Sequence, residues 1–385
     1  MVTRATGFNP RVLAWARERS GLTLEEAAAA LKRPLSVLQD WESGAADPTW
    51  NQLESLARLF HRPVALFFFP DPPEERDAES EFRSLSNLRP GELHPDTRLA
   101  VREGRAWQQS LRELAGAANP SERFILGDIR PVPGTGIERL AVRVREHLGV
   151  PLQEQQRWPT TAQAFRNWRT AVEDAGIFVF KRSFNQDDVS GFCLHDAQFP
   201  IIVINNSTAH SRQSFTLFHE LAHLLFRVSG ITQDGEDEPA GEPIHAIEAA
   251  CNRFAHEFLV PSAGSPWHEL RNTRDFLQAV TTIAQRYNVS RLVILRKARD
   301  HGLVDGATYG ALARVLGKEY LARRGSEGGG GSYYANQATY LGDAYLRLAF
   351  GQFHSGRVSL PELAEHLAVK ARNVGKLEDF FLARK

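Results

Sequence analysis

The sequence predicts a multidomain, mainly helical protein with one α+β core: a helical head, a small mixed sheet followed by the helix that carries the run HELAH, and a helical C-terminal region. Three observations predict this. Apolar residues recur at helical spacing through residues 8–70 and again from residue 273 onward. Three short runs rich in Phe, Val and Ile lie between residues 176 and 204, the last ended by Asn205-Asn206. The chain has 385 residues, 42% hydrophobic and 24% charged, which is enough for two or three domains with real cores.

Formal net charge is zero, so any case for nucleic acid or membrane binding has to be local. The two cysteines, Cys193 and Cys251, make no disulfide framework and fit a reducing cytosol. The start, MVTRATGFNPRVLAWARERSG, lacks the apolar core of a signal peptide, and no window reaches the length of a transmembrane helix. A cytoplasmic protein is expected. The longest apolar stretch, Val64 to Phe69, is too short to span a membrane and reads as a buried helix or strand.

In the head, Val12, Leu13 and Ala16, then Ala27, Ala28 and Leu31, then Leu53, Leu56, Ala57 and Leu59 mark successive helices. Thr23 with Glu26 is a capping box, Gly21 and Gly44 punctuate, and Pro48 suits the first turn of the next helix. An acidic, proline-bearing linker covers residues 71–77, a polar helix residues 80–117, and an irregular connection residues 118–136. Helices are expected from Gly136 to His147 and from Thr161 to Ala175. Strands follow at Gly176–Arg182, Val189–Leu194 and Phe199–Ile204. Two helices come next, Ser211–Arg227 and Ile244–Leu259, joined by an acidic glycine-bearing loop. Residues 273–300 return to helices, Gly325–Gly331 is a hinge, and the chain is helical past Tyr333. The expected domains are 1–70, a linker and helical segment 71–160, 161–305 and 306–385.

His219 and His223, four residues apart, share one helical face, so both imidazoles reach one tetrahedral zinc ion. Glu220 is next to the first histidine and points toward the water rather than ligating. Zinc lowers the pKa of its water from about 15.7 to about 7. A carboxylate then takes the proton and hands it to a leaving amine. Between these residues the helix is apolar, and a buried His-Glu-His set is costly unless something binds it. The plainer reading is a core helix whose histidines bond to neighbours. A catalytic zinc takes three protein ligands and one open position. Downstream candidates for the third are Asp234, Glu236, Asp237, Glu238, Glu242, His245, Glu248, His256 and Glu257. Glu248 shares a helical face with Cys251, Asn252 and Ala255, and His245 lies one turn earlier as the runner-up. Cys251 fits a small core residue better than a ligand.

Residues 215–261 resemble the ImmA/IrrE family of metallopeptidases, through HELAH followed by Glu248-Ala-Ala-Cys251-Asn252-Arg-Phe254-Ala255 and Leu259-Val-Pro261. Pro200–Asn205, Arg212–Thr216 and Tyr287–Arg296 extend the likeness over residues 165–305. The resemblance implies a zinc endopeptidase with His219, His223 and Glu248 as ligands and Glu220 as general base. Cys251 stands where the family commonly has alanine.

The head resembles helix-turn-helix domains of the Cro/repressor, or XRE, type, through Leu22-Thr23 to Ala28, Val37-Leu38, Trp41-Glu42-Ser-Gly44 and Leu53–Ala57, which implies a five-helix fold. Its recognition helix, Pro34–Ser43, would enter the major groove. DNA affinity comes mainly from Lys and Arg at phosphates, yet this helix has no basic residue and carries Asp40 and Glu42. Lys32 and Arg33 precede it, and Ser36 and Gln39 are the base-reading candidates. The other use of such a head is dimerisation or holding a protein partner. Ser359–Ala368 with Lys370–Lys376 has the look of a second helix-turn-helix, or of a common helical packing unit.

The expected protein is a zinc endopeptidase tied to a DNA-binding-type head, cleaving a repressor or antitoxin protein to regulate transcription. Its partners are then that protein substrate, double-stranded DNA and a second copy of the chain in a homodimer, with no membrane. The alternative is a non-catalytic transcriptional regulator or antitoxin-like protein whose metal site is structural or sensing. The intact Glu220 argues for the enzyme, because a structural site has no use for a base.

Overall fold

The computed structural model describes residues 4–75, 93–116, 118–131, 136–186, 189–228, 242–263, 266–324 and 332–384. The expected hinge Gly325–Gly331 and the first part of the expected polar helix, residues 80–92, lie outside these. Two compact units emerge, one of Met1–Glu103 with Phe184–Gln186, the other of Gly104–Ser183 with Asp187–Lys385.

In the first unit, helix α1 (Pro10–Arg19) starts at Asn9, whose side chain accepts from the Arg11 amide. Helix α2 (Leu24–Ala30) opens on the Thr23–Glu26 capping box that the spacing predicts. Helix α3 (Leu35–Ser43) ends at Gly44, whose φ of +78° is left-handed. Helix α4 (Trp50–Leu59) is capped by Thr49, paired with Gln52, so Pro48 lies ahead of the cap and not in the first turn. The fifth helix is a 3-10 turn, Val64–Phe68. It buries Leu66 and Phe67 but leaves Phe68 and Phe69 exposed at 37% and 47%. The apolar run is thus half surface: the short turn faces the head's core with Leu66 and Phe67, and Phe68 and Phe69 leave it toward solvent. Leu13, Leu38, Leu53, Leu56 and Phe60 are fully buried at the centre of this head. Helix α5 (Pro95–Ala115) follows, and the boundary between units falls within it, after Glu103.

The second unit adds a short helix, α6 (Ile125–Asp128), inside the stretch expected to be irregular. Helices α7 (Ile137–Leu148), α8 (Leu152–Gln155) and α9 (Thr161–Asp174) come next. Strands β1 (Phe178–Arg182), β2 (Gly191–Leu194) and β3 (Ile201–Asn205) form a sheet in the order β1-β3-β2. β1 pairs parallel to β3 and β2 antiparallel to it, so the sheet is mixed, as expected. Side chains alternate across it. On one face Phe180 stacks on Trp107 of α5 at 4.4 Å and meets Tyr345 at 5.2 Å. On the other, Lys181 lies over the Phe165 ring of α9.

Helix α10 (His210–Val228) carries HELAH, and α11 (Glu242–Leu259) carries Glu248. Both match their expected spans within two residues. Helices α12 (Trp267–Arg271), α13 (Phe276–Tyr287), α14 (Arg291–Asp300) and α15 (Gly306–Arg324) lead to the C-terminal group: α16 (Tyr333–Leu341), α17 (Asp343–His354), α18 (Leu360–His366) and α19 (Val374–Leu382). Of these, α16 packs onto β1 and α17 reaches the sheet through Tyr345. Arg169 of α9 donates to the Thr339 carbonyl at 2.8 Å and to the Val179 carbonyl of β1. Gly342, at φ +85°, leaves the room its guanidinium fills. No helix among the described residues is long and apolar enough to cross a membrane.

Candidate metal centre

Leu217, Phe218, Leu221, Ala222, Leu224 and Leu225 bury the underside of α10. Cys251, Phe254, Ala255 and Phe258 do the same for α11. The two helices meet through Phe218 and Phe258, stacked at 3.9 Å, with Trp168 of α9 edge-on to both. They run antiparallel, since residues pair in opposite order: His223 with Glu248, then Phe215 with His256.

The far end of α11 is held by groups from α7 and α8. Gln155, fully buried, donates to the carbonyls of Leu259 at 2.9 Å and Tyr287 at 2.8 Å. Arg145 donates to the Phe258 carbonyl, to Val150 and to Gln155, and its guanidinium lies 4.6 Å over the Phe258 ring. Burial lowers the pKa of this arginine to about 10. These caps satisfy carbonyls that a helix end leaves free. Against the other side of α10, Gly191 lets β2 approach closely. A Cβ there would sit 2.6 Å from the Thr216 methyl and 2.8 Å from the Val203 carbonyl oxygen.

His219 Nε2 and His223 Nε2 lie 3.0 Å apart. Glu248 Oε2 is 3.3 Å from the first and Oε1 3.2 Å from the second. Ligand atoms at about 2.0–2.1 Å from one tetrahedral ion stand about 3.3 Å from each other, so the three donors fit a zinc ion. The chemistry agrees, with two imidazoles and one carboxylate converging. Burial works to raise the Glu248 pKa, but hydrogen bonds and charge from both imidazoles hold it down at about 2. Burial works to lower that of His219, and the Glu248 hydrogen bond with the charges of Glu220 and Glu248 raises it on balance. Glu220 is 7% exposed and near enough to act on His219. Asn252, one turn beyond Glu248, also acts on His219, while the buried Nδ1 of that ring makes no hydrogen bond within the described residues. Read from sequence, Asn252 is only a member of the motif, although its i+4 spacing from Glu248 places it on the same face. Burial, then the charges of Glu248 and Glu220, push the Cys251 thiol well up, which leaves it a neutral core residue.

Among the other expected ligand candidates, His256 packs against Phe215 and Glu257 pairs with Lys297. Asp234, Glu236, Asp237 and Glu238 lie outside the described residues, as do the side chains of Glu242 and His245. In the head, Lys32, Arg33, Ser36 and Gln39 are all exposed, with Lys32 in the left-handed region at φ +53°. Glu42 is not part of that exposed set, being held by Arg17.

The fold and these residues define a class: a helix-turn-helix head in a chain whose second unit carries a metallopeptidase-type centre. Residues 172–299 match the peptidase-family model described as the IrrE N-terminal-like domain, and residues 11–67 match that of a helix-turn-helix domain. The central region is thus similar to IrrE N-terminal-like peptidase domains and follows a helix-turn-helix domain, the arrangement that the ImmA/IrrE resemblance implies. No curated protein matches the chain. A solved structure of a Mycobacterium tuberculosis transcriptional regulator is 16% identical, with a TM-score of 0.30 over 50% of this chain and 51% of that one. The chain thus spans about half the length of that regulator.

Proposed function

We propose that this protein is a cytoplasmic zinc endopeptidase whose helix-turn-helix head binds DNA, and that it cleaves a repressor or antitoxin protein to switch on genes. The observation that carries this is the convergence of His219, His223 and Glu248, with donor atoms 3.0 to 3.3 Å apart, beside the buried Glu220. His219, His223 and Glu248 would hold the zinc ion, which when bound would supply Lewis acidity to the scissile carbonyl and to a water. Glu220 accepts the proton of the attacking water as the oxygen–carbon bond forms at the peptide carbonyl. It returns that proton to the amide nitrogen as the carbon–nitrogen bond breaks. Glu220 is itself buried at 7% exposure, which shields its carboxylate from bulk water.

The test measures metal content together with cleavage of any small repressor found encoded beside this chain. Glu220→Gln is nearly isosteric, so it keeps the metal and loses activity by about 10²–10⁴-fold. Glu248→Gln loses the metal itself, because a neutral amide is a poor zinc ligand. Near-normal cleavage by Glu220→Gln removes the general-base role. Full metal in Glu248→Gln with loss in His245→Ala makes His245 the third ligand. A metal-loaded wild type that cleaves nothing favours the non-catalytic regulator.

A further inference from the structure

We infer that Phe215 and His256 form the subsite that receives the substrate side chain next to the scissile bond, and that it selects a bulky apolar or aromatic residue. The inference rests on the endopeptidase reading above and names the substrate class of that same site.

The antiparallel helices stack their facing residues in layers. His223 and Glu248 make one, at 3.2 Å. His219 with Asn252 makes the next, and Phe215 with His256 the one after, with ring centroids 4.8 Å apart and planes at 68°. Successive layers are one helical turn, about 5.4 Å, apart. An extended peptide advances about 3.3 Å per residue. A backbone seated at the His219 layer therefore delivers its neighbouring side chain to Phe215 and His256.

The chemistry of this layer is apolar and planar. Ser214, Thr216 and Leu217 around Phe215 are buried, whereas Phe215 itself is half-buried, on the same stripe of α10 as His219. Its ring lies 6.3 Å from that of His219, so the aromatic surface is continuous with the metal-binding side. The His256 Nδ1–H donates to the Asn252 carbonyl at 2.6 Å, which fixes the ring edge-on to Phe215. Burial lowers its pKa, and Arg296 and Lys297 of α14 do the same against the Asn252 carbonyl and Asp300. The imidazole is then neutral at neutral pH. The two rings touch edge-on and together make one aromatic shelf without a full charge, which favours a large apolar side chain laid against it and penalises desolvating a carboxylate.

The probes are amino-acid hydroxamates with benzyl, methyl or carboxymethyl side chains, titrated calorimetrically into the zinc-loaded full chain. Acetohydroxamate, which has no side chain there, reports the metal centre separately, and zinc content is measured in the same samples. The wild type binds the benzyl compound at least about tenfold tighter than the other two. Phe215→Ala and His256→Ala each bring that ratio toward unity while zinc is retained. Equal affinities in the wild type, or a ratio unchanged in both variants, overturn the subsite. Failure of every hydroxamate to bind overturns the metal centre and the subsite with it. Selective binding without cleavage of any peptide supports the subsite and sinks the endopeptidase reading alone.

Discussion

Arg17 of α1 grips Glu42 of α3 with two prongs, Nε to Oε1 at 2.8 Å and Nη2 to Oε2 at 3.0 Å, and both side chains are about nine-tenths buried. Arg17 also donates to the Leu22 carbonyl at 3.0 Å, so the pair locks the turn between the first two helices to the third. Removing one partner strands the other charge in a buried place. Glu42→Ala is expected to cost about 3 kcal/mol, measured by denaturant unfolding of the full chain. An unchanged transition for the first unit would show the pair to be incidental.

That pair also changes the electrostatics of the recognition helix. Glu42 counts against DNA when read from sequence, but here its charge is spent on Arg17. The exposed polar residues are Ser36, Gln39, Asp40 and Ser43, with Lys32 and Arg33 ahead of them. Lys32→Ala with Arg33→Ala should weaken binding to all sequences and reduce the salt slope by about 2. Ser36→Ala with Gln39→Ala should instead relax sequence preference, by about 1–3 kcal/mol for each base-edge hydrogen bond removed. Mobility shifts on upstream DNA at several salt concentrations separate the two. Equal binding by a chain starting at residue 80 would remove the head from DNA recognition.

Gly191→Ala tests how tightly β2 must sit against the HELAH helix. Of the two closest atoms that its Cβ meets, the Thr216 methyl is able to rotate, but the Val203 carbonyl belongs to the sheet ladder. Overpacking of this kind costs about 1–3 kcal/mol. The displaced helix carries both histidines, so zinc affinity should fall along with stability. A variant that loses stability but keeps full zinc affinity would mean that α10 moves as a rigid body with α11.

Lys181 is 3% exposed, and burial lowers its pKa from 10.5 to about 7, with Arg169 and Arg166 adding to the effect. Between about pH 7 and 10.5 the unfolded chain binds one more proton at this residue than the folded chain does. Stability from this group therefore rises with pH across that window, and below pH 7 the full burial cost is present. Lys181→Met should stabilise the protein at pH 6 by about 2–4 kcal/mol, after allowing for attraction of the ammonium to the Phe165 ring. The gain should shrink between pH 7 and pH 9. Unfolding of both proteins at pH 6 and pH 9 checks this, and a less stable variant at pH 6 contradicts it.

Much of the architecture was legible in the sequence because the signals were local. The Thr23–Glu26 box, the alternating strands and the apolar stripe of α10 each need only a dozen residues of context. The spacing of HELAH places His219 and His223 on one face, while the choice of Glu248 over His245 came from the ImmA/IrrE resemblance; the structure brings Glu248 to the two histidines. What stayed hidden was set by distant partners. Nothing near Glu42 announces Arg17, 25 residues away. Thr49 outcompetes Pro48 for the start of α4 because its hydroxyl accepts from the Gln52 amide, a choice between neighbours that pattern alone leaves open. Arg145 and Gln155 sit in the linker and helical segment read as lying outside the 161–305 domain, yet they cap α11 from 113 and 104 residues away.

Those caps, together with the C-terminal helices on the sheet, bear on where a protein engineer is free to cut. A fragment spanning 161–305 keeps every atom of the His219–His223–Glu248 cluster. It would nevertheless leave Phe180 without Trp107 and Tyr345, Arg169 without the Thr339 carbonyl, and the last turn of α11 without its donors. Such a fragment should come out of the ribosome as an insoluble product, whereas one running from Gly104 to Lys385 retains all of these partners. The stretch that carries the chemistry is in this sense a tenant, housed by flanking helices that no peptidase motif would lead one to keep.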